Sequence, residues 1–174
     1  MASNQNFQLS NTNVIKPTKP VGITATGSYL PPTIINNEDF TRLKLTESDK
    51  KFIDEVSGIK QRHFANGESY TEMAIKAAQD AIKNSSITPE EIDLVLVTHV
   101  SRDMNQFTPP NCITIQTEIG AVNATSINID AGFSGWLYTL ITGVSFISSG
   151  FYKNVLVVSG ETLLESTYND ITKA

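Results

Sequence analysis

The sequence predicts an α/β fold, a mixed and mostly parallel sheet with helices on both faces. Three observations carry that expectation. Strand-like and helix-like segments alternate from residue 21 onward. Two strand-like runs, residues 92–97 and 155–158, are almost unbroken apolar sequence, which suits strands covered on both faces. The helical segments between them are about 10–16 residues long, enough for right-handed crossovers between parallel strands.

The elements follow in order. Residues 1–20 read as a flexible N-terminal arm ending in Lys16-Pro17-Thr18-Lys19-Pro20, and residues 21–174 as one domain. Residues 21–25 are a short β-prone run, halted by Gly27 and by Pro31-Pro32. Asn37 with residues 38–43 suggests a short helix. Residues 46–57 suggest another, with Phe52, Ile53 and Val56 on one face. Ser69-Tyr70-Thr71-Glu72 is a capping box, in which hydroxyl and carboxylate satisfy free amides at a helix start. Met73, Ala74, Ala77, Ala78, Ala81 and Ile82 follow at helical spacing until Asn84-Ser85-Ser86. Thr88-Pro89-Glu90-Glu91 repeats the capping pattern, with proline at the favoured first helical position. After the strand at 92–97, residues 110–119 form a helix closed by Gly120. Residues 126–129 form a strand, 134–149 a long helix closed by Gly150, and 155–158 a further buried strand.

A chain of 174 residues fits one domain with a real core. Its 40% apolar and 18% charged residues are those of an ordinary globular protein. The net charge of −5 argues against a nucleic-acid or anionic-membrane binder, which needs a basic surface. No apolar run approaches the roughly 20 residues that cross a bilayer. The polar start, with Asn4, Gln5, Asn6, Asn11, Thr12 and Asn13, holds no signal-peptide core, so the expected location is cytoplasmic. The one cysteine, Cys112, excludes an internal disulfide framework and a cysteine zinc cluster. No metal is expected.

In sheets of this kind ligands bind beyond the carboxyl ends of the strands, where helix N-termini offer unpaired amides. Three strand ends qualify: Thr98-His99 running on to Phe107, Asp130 to Gly135, and Ser159-Gly160-Glu161. The middle one stands out. Ile129-Asp130-Ala131-Gly132-Phe133-Ser134-Gly135-Trp136 is a tight strand-to-helix turn of small residues. It lifts one residue to the head of a helix, where the dipole favours a developing anion. That is the geometry of a nucleophile elbow, although small residues also serve plain close packing.

A set of motifs in fixed order resembles one family. Thr26-Gly27-Ser28-Tyr29-Leu30-Pro31 matches the opening strand-loop of β-ketoacyl-acyl-carrier-protein synthase III. Ser57-Gly58-Ile59-Lys60-Gln61-Arg62-His63 is similar to its Thr-Gly-Ile-Arg-Glu-Arg motif, and Glu72 to Ala81 to its first long helix. Phe107-Thr108-Pro109 resembles its Phe-Pro-Ser loop. Ser134-Gly135-Trp136 resembles the residues after its nucleophile, and Val157-Val158-Ser159-Gly160-Glu161 its next strand and turn. The resemblance runs from about Val21 to the end, the N-terminal half of the family. It implies the N-terminal half-domain of a thiolase-like condensing enzyme. Such enzymes move an acyl group from coenzyme A or a carrier protein to a cysteine, then condense it with a malonyl-thioester as carbon dioxide leaves. A histidine and an asparagine from the second half stabilise that decarboxylation.

The departures bear on function. Phe133 aligns with the family's cysteine and carries no nucleophilic atom, so no acyl-enzyme forms there; its ring is expected at the acyl-pocket mouth. Ser134, one step round the turn, points elsewhere and lacks a base. Cys112 reads as a buried small hydrophobe. His63 and His99 match no family catalytic histidine and read as structural or surface residues. Phe52 aligns with the tryptophan that stacks on the adenine of coenzyme A, and Val56 with a nucleotide-binding arginine. Phe52 could stack weakly, but the charge is lost, and the spacing favours core positions on an amphipathic helix. Phe107 aligns with a phenylalanine that crosses the dimer interface and closes the partner's acyl pocket; an ordinary loop aromatic is the equal alternative.

The expected protein is therefore a cysteine-less subunit, inactive alone. It would complete or shape the acyl pocket of a condensing enzyme in fatty-acid or polyketide-type synthesis. Its partner would be a ketosynthase subunit or a complementary C-terminal half, with acyl carrier protein as a further contact. The alternatives are an acyltransferase that dispenses with position 133, or a shortened product without function. In any of these, one side of the sheet and its central helices are expected to lie bare unless another surface covers them.

Overall fold

Two hydrogen-bonded units organise the computed structural model, which describes residues 19–39, 45–100 and 108–162. The first is an antiparallel ribbon of β1 (Thr33–Asn36) and β2 (Gln61–Phe64), in register from Thr33 opposite Phe64 to Asn36 opposite Gln61. Between them lies α1 (Glu47–Lys51), which widens into a π-helical turn at Phe52–Ser57. The second unit contains α2 (Tyr70–Lys83), β3 (Leu94–Thr98), α3 (Asn111–Glu118), β4 (Thr125–Asn128), α4 (Gly135–Ser149) and β5 (Val155–Ser159). Its three strands are parallel in the order β4-β3-β5. The α/β expectation holds, with the antiparallel pairing confined to the ribbon.

Local chemistry sets the helix boundaries. Ser69 Oγ accepts from the Glu72 amide at 3.2 Å, and the Glu72 carboxylate accepts from the Ser69 amide at 2.8 Å, closing the capping box that starts α2. Thr46 and Asp49 do the same for α1. The Thr88–Glu91 pattern supports only a 3-10 turn, Pro89–Glu91, because the chain becomes extended at Ile92 to enter β3. Gly58, Gly120 and Gly150 follow their helices with φ of 68°, 78° and 81°, the left-handed stop that glycine adopts without a Cβ penalty.

Every residue of β3 is buried. Val95 and Val97 pack with Ala74 and Ala78 of α2 and with Cys112 and Ile115 of α3. On the opposite face Leu96, with Val155 and Val157, closes on Gly143 of α4, where a Cβ would lie 3.3 Å from Val155 and 3.6 Å from Leu96. Helices therefore cover both faces of β3, while β4 at the sheet edge stays largely exposed. Each fully buried aliphatic side chain contributes roughly 1.5–3 kcal/mol. Asp93 fixes the sheet's lower end, its carboxylate accepting from the amides of Lys153 and Asn154 at 2.8 Å each.

Three expectations need correction. Residues 21–25 form no strand. This stretch leads into a segment bound to α2, where the Ser28 amide donates to Asp80 at 2.9 Å and Asn84 donates to the Thr26 carbonyl at 3.1 Å. β propensity expresses fit to a neighbouring strand, and this stretch meets a helix. Phe52 and Val56 are not core: they are 59% and 70% exposed, because the described hydrogen bonds of their segment run to Asn37 and Lys60 or stay within it. The expected helix at 37–43 is a 3-10 turn, Asn37–Asp39, in its described part. The arm lies outside the described residues except for Lys19 and Pro20.

One polar cluster ties residue 29 to the second unit. The Tyr29 hydroxyl donates to the Glu68 carboxylate at 2.8–2.9 Å. Lys76 Nζ donates to the same carboxylate and lies 4.5 Å over the Tyr29 ring. The bonds from Lys76 and Tyr29 hold the Glu68 carboxyl below the usual carboxylate range, and the same contacts push the Lys76 ammonium up.

Two measurements check this account. A Cβ on Gly27 would sit 2.0 Å from the Ala81 nitrogen, so Gly27→Ala should lower stability in urea by about 1–3 kcal/mol. The lowered Glu68 value gives stabilisation that is complete above the unfolded value of about 4.3 and lost as pH falls through the folded one. The melting temperatures of the wild type and Glu68→Gln should differ at pH 7 and converge towards pH 3.

Candidate functional site

The carboxyl ends of β3, β4 and β5 lie side by side, since the three strands are parallel and in register. Thr98 ends β3 and is 2% exposed. Its carbonyl accepts from the Tyr70 hydroxyl at 3.4 Å, and the His99 ring lies against Tyr70 at 4.7 Å between centroids, tilted by 45°. At the end of β5, Glu161 accepts from the Val100 amide, joining the chain beyond β5 to the chain beyond β3. Neither link was anticipated from the sequence. Tyr70 reads there as part of a cap, and a carboxylate that bonds a backbone amide 61 positions away leaves no local pattern.

The turn after β4 has the expected shape. The Ile129 amide donates to the Val97 carbonyl at 2.8 Å, carrying the pairing one residue past β4. Ala131 then leaves the extended region, and Gly132 takes φ 55°, a conformation that favours glycine. A 3-10 turn over Gly132–Ser134 runs directly into α4. Gly135 is buried against the end of β3, where a Cβ would lie 2.2 Å from Thr98 Oγ1. This contact accounts for glycine at 135: α4 starts too close to β3 for a side chain there. The residues before Gly135 are thereby raised beyond the strand ends, at the positive end of a 15-residue helix.

Phe133 is the residue presented there. Its side chain is 91% exposed, standing clear of the described residues around it. An unbranched aromatic on an outward-pointing turn has no wall to lie against. Ser134 is also exposed, and its side chain makes no capping bond to α4. Trp136, Leu137, Tyr138 and Ile141 extend the exposed apolar surface along α4. No charged residue occurs between Ala131 and Tyr152.

The other singled-out residues are not brought to the turn. Cys112 is 4% exposed within the core. His63 Nδ1 lies 2.6 Å from the Pro31 carbonyl, a backbone tie that holds β2 to the residues before β1. It also borders a cavity of about 330 Å³ with Tyr29, Pro31, Met73, Ser159 and Glu161, on the α2 side of β5. Phe52 stands exposed beside the ribbon. Phe107 and most of its loop lie outside the described residues. Among the described residues no cluster of histidine, cysteine and carboxylate side chains forms a metal site, and no helix is long and apolar enough to cross a membrane.

A parallel sheet with helices on both faces of its central strand, and a small-residue turn that lifts one side chain to the head of a helix, fit the thiolase-type fold of condensing enzymes. The solved 3-oxoacyl-[acyl-carrier-protein] synthase III from Aquifex aeolicus matches it with a TM-score of 0.73 at 33% identity, over 82% of this chain and 45% of that one. The priming β-ketosynthase of a polyketide biosynthetic pathway matches with a TM-score of 0.73 at 30% identity, over 80% of this chain and 41% of that one. The family model for 3-oxoacyl-[acyl-carrier-protein] synthase III matches residues 127–173, from β4 through the turn and β5. The β-ketoacyl-[acyl-carrier-protein] synthase III of Clostridium novyi is 41% identical over 143 residues, which are 82% of this chain and 43% of that protein. This chain belongs to the 3-oxoacyl-[acyl-carrier-protein] synthase III family, and it spans less than half the length of the relatives it matches.

The geometry of the turn separates two neighbouring positions. Gly135→Ala should destabilise the protein by about 1–3 kcal/mol by forcing α4 off Thr98. Phe133→Ala should change stability by no more than about 0.5 kcal/mol, as expected where a side chain packs on nothing. Urea denaturation of the two variants beside the wild type measures both.

Proposed function

We propose that this chain is a non-catalytic member of its family, a subunit that completes or shapes the acyl pocket of a condensing enzyme in fatty-acid or polyketide-type synthesis. The observation that carries the reading is Phe133. It stands at the head of α4 where the family resemblance puts the nucleophilic cysteine, and it has no atom able to accept an acyl group. Ser134 beside it has no histidine placed against it among the described residues, and Cys112 is buried in the core. Coenzyme A or acyl-carrier-protein thioesters would then be substrates of the complex, giving their acyl group to the partner's cysteine and leaving as the free thiol. Phe52, exposed beside the ribbon, offers at most one aromatic face to an adenine ring, and Val56 offers no charge to a phosphate.

The exposed surface supports the same reading. Trp136, Leu137, Tyr138 and Ile141 with Phe133 form an uncharged apolar face of a kind that monomers seldom leave bare. A cysteine-bearing ketosynthase subunit, or a chain carrying the complementary C-terminal half, has the chemistry to cover it. Phe107 and its loop are the second contact in this proposal, reaching the partner's acyl pocket. Acyl carrier protein is a further, transient partner, and the complex belongs in the cytoplasm. The net charge of −5 gives nucleic acid no general foothold.

Native mass spectrometry of the protein from its own host tests the partnership. A stable complex with a cysteine-bearing ketosynthase, or with a chain supplying the complementary half, is the expected result. A chain that stays monomeric in the presence of such a ketosynthase overturns it. Chemistry is tested separately by intact-mass analysis after incubation with acyl-coenzyme A. The isolated chain should gain no acyl mass, and a covalent adduct would show an acyltransferase working by a route that does not use position 133.

A further inference from the structure

We draw no further inference here: the strongest candidate, the uncharged apolar face of α4 formed by Trp136, Leu137, Tyr138 and Ile141 together with Phe133, belongs to the partner reading already proposed, and nothing in the structure shows what covers it.

Discussion

Strand β3 is the constraint on which the rest depends. It is hydrogen-bonded along both edges and covered on both faces, so none of its five residues reaches solvent. A strand in that position must be apolar throughout, and its polar backbone must be satisfied by neighbours in register. Asp93 sets that register from below by gripping two amides at the start of the β5 arm. Thr98 sets it from above, with Tyr70 on its carbonyl and Gly135 against its side chain. Shifting β3 by one residue would exchange the valines facing α2 and α3 for the leucines facing α4.

From that strand the site follows by geometry. The approach of α4 to Thr98 requires glycine at position 135. A glycine there allows the helix to begin almost on top of the strand, and the connecting residues have to rise away from the sheet. What the turn presents is then decided by position 133 alone. The strand-to-helix turn and the helix head are both in place, and Phe133 is the side chain they display. Loss of a nucleophile need not disturb such a scaffold, because the elbow is shaped by its glycines and not by the residue it displays.

Much of this was legible in the sequence, for physical reasons. The apolar run at 92–97, the Ser69–Glu72 cap and the glycines at 120 and 150 are local patterns with local causes, and they marked β3, α2 and the ends of α3 and α4 to within a residue or two. The turn at 131–135 was legible because small residues in succession have few explanations. Residues 21–25 misled because β-prone composition does not say whether a strand or a helix lies alongside. Phe52 and Val56 misled because helical spacing identifies a face without saying what packs on it. The Glu161–Val100 bond and the pairing of β1 with β2 join segments far apart in the chain, and short polar strands of four residues carry little periodicity.

The exposure of Phe133 has an evolutionary side. A side chain that is 91% exposed adds little to the packing of the described residues, so stability sets little constraint on what occupies position 133. Its neighbour Gly135 is under the opposite regime, since any side chain there meets the end of β3. Two positions apart, one is held by the fold and the other is free to drift unless a partner or a substrate holds it. The head of α4 is therefore a place where the displayed residue can change without the scaffold beneath it changing.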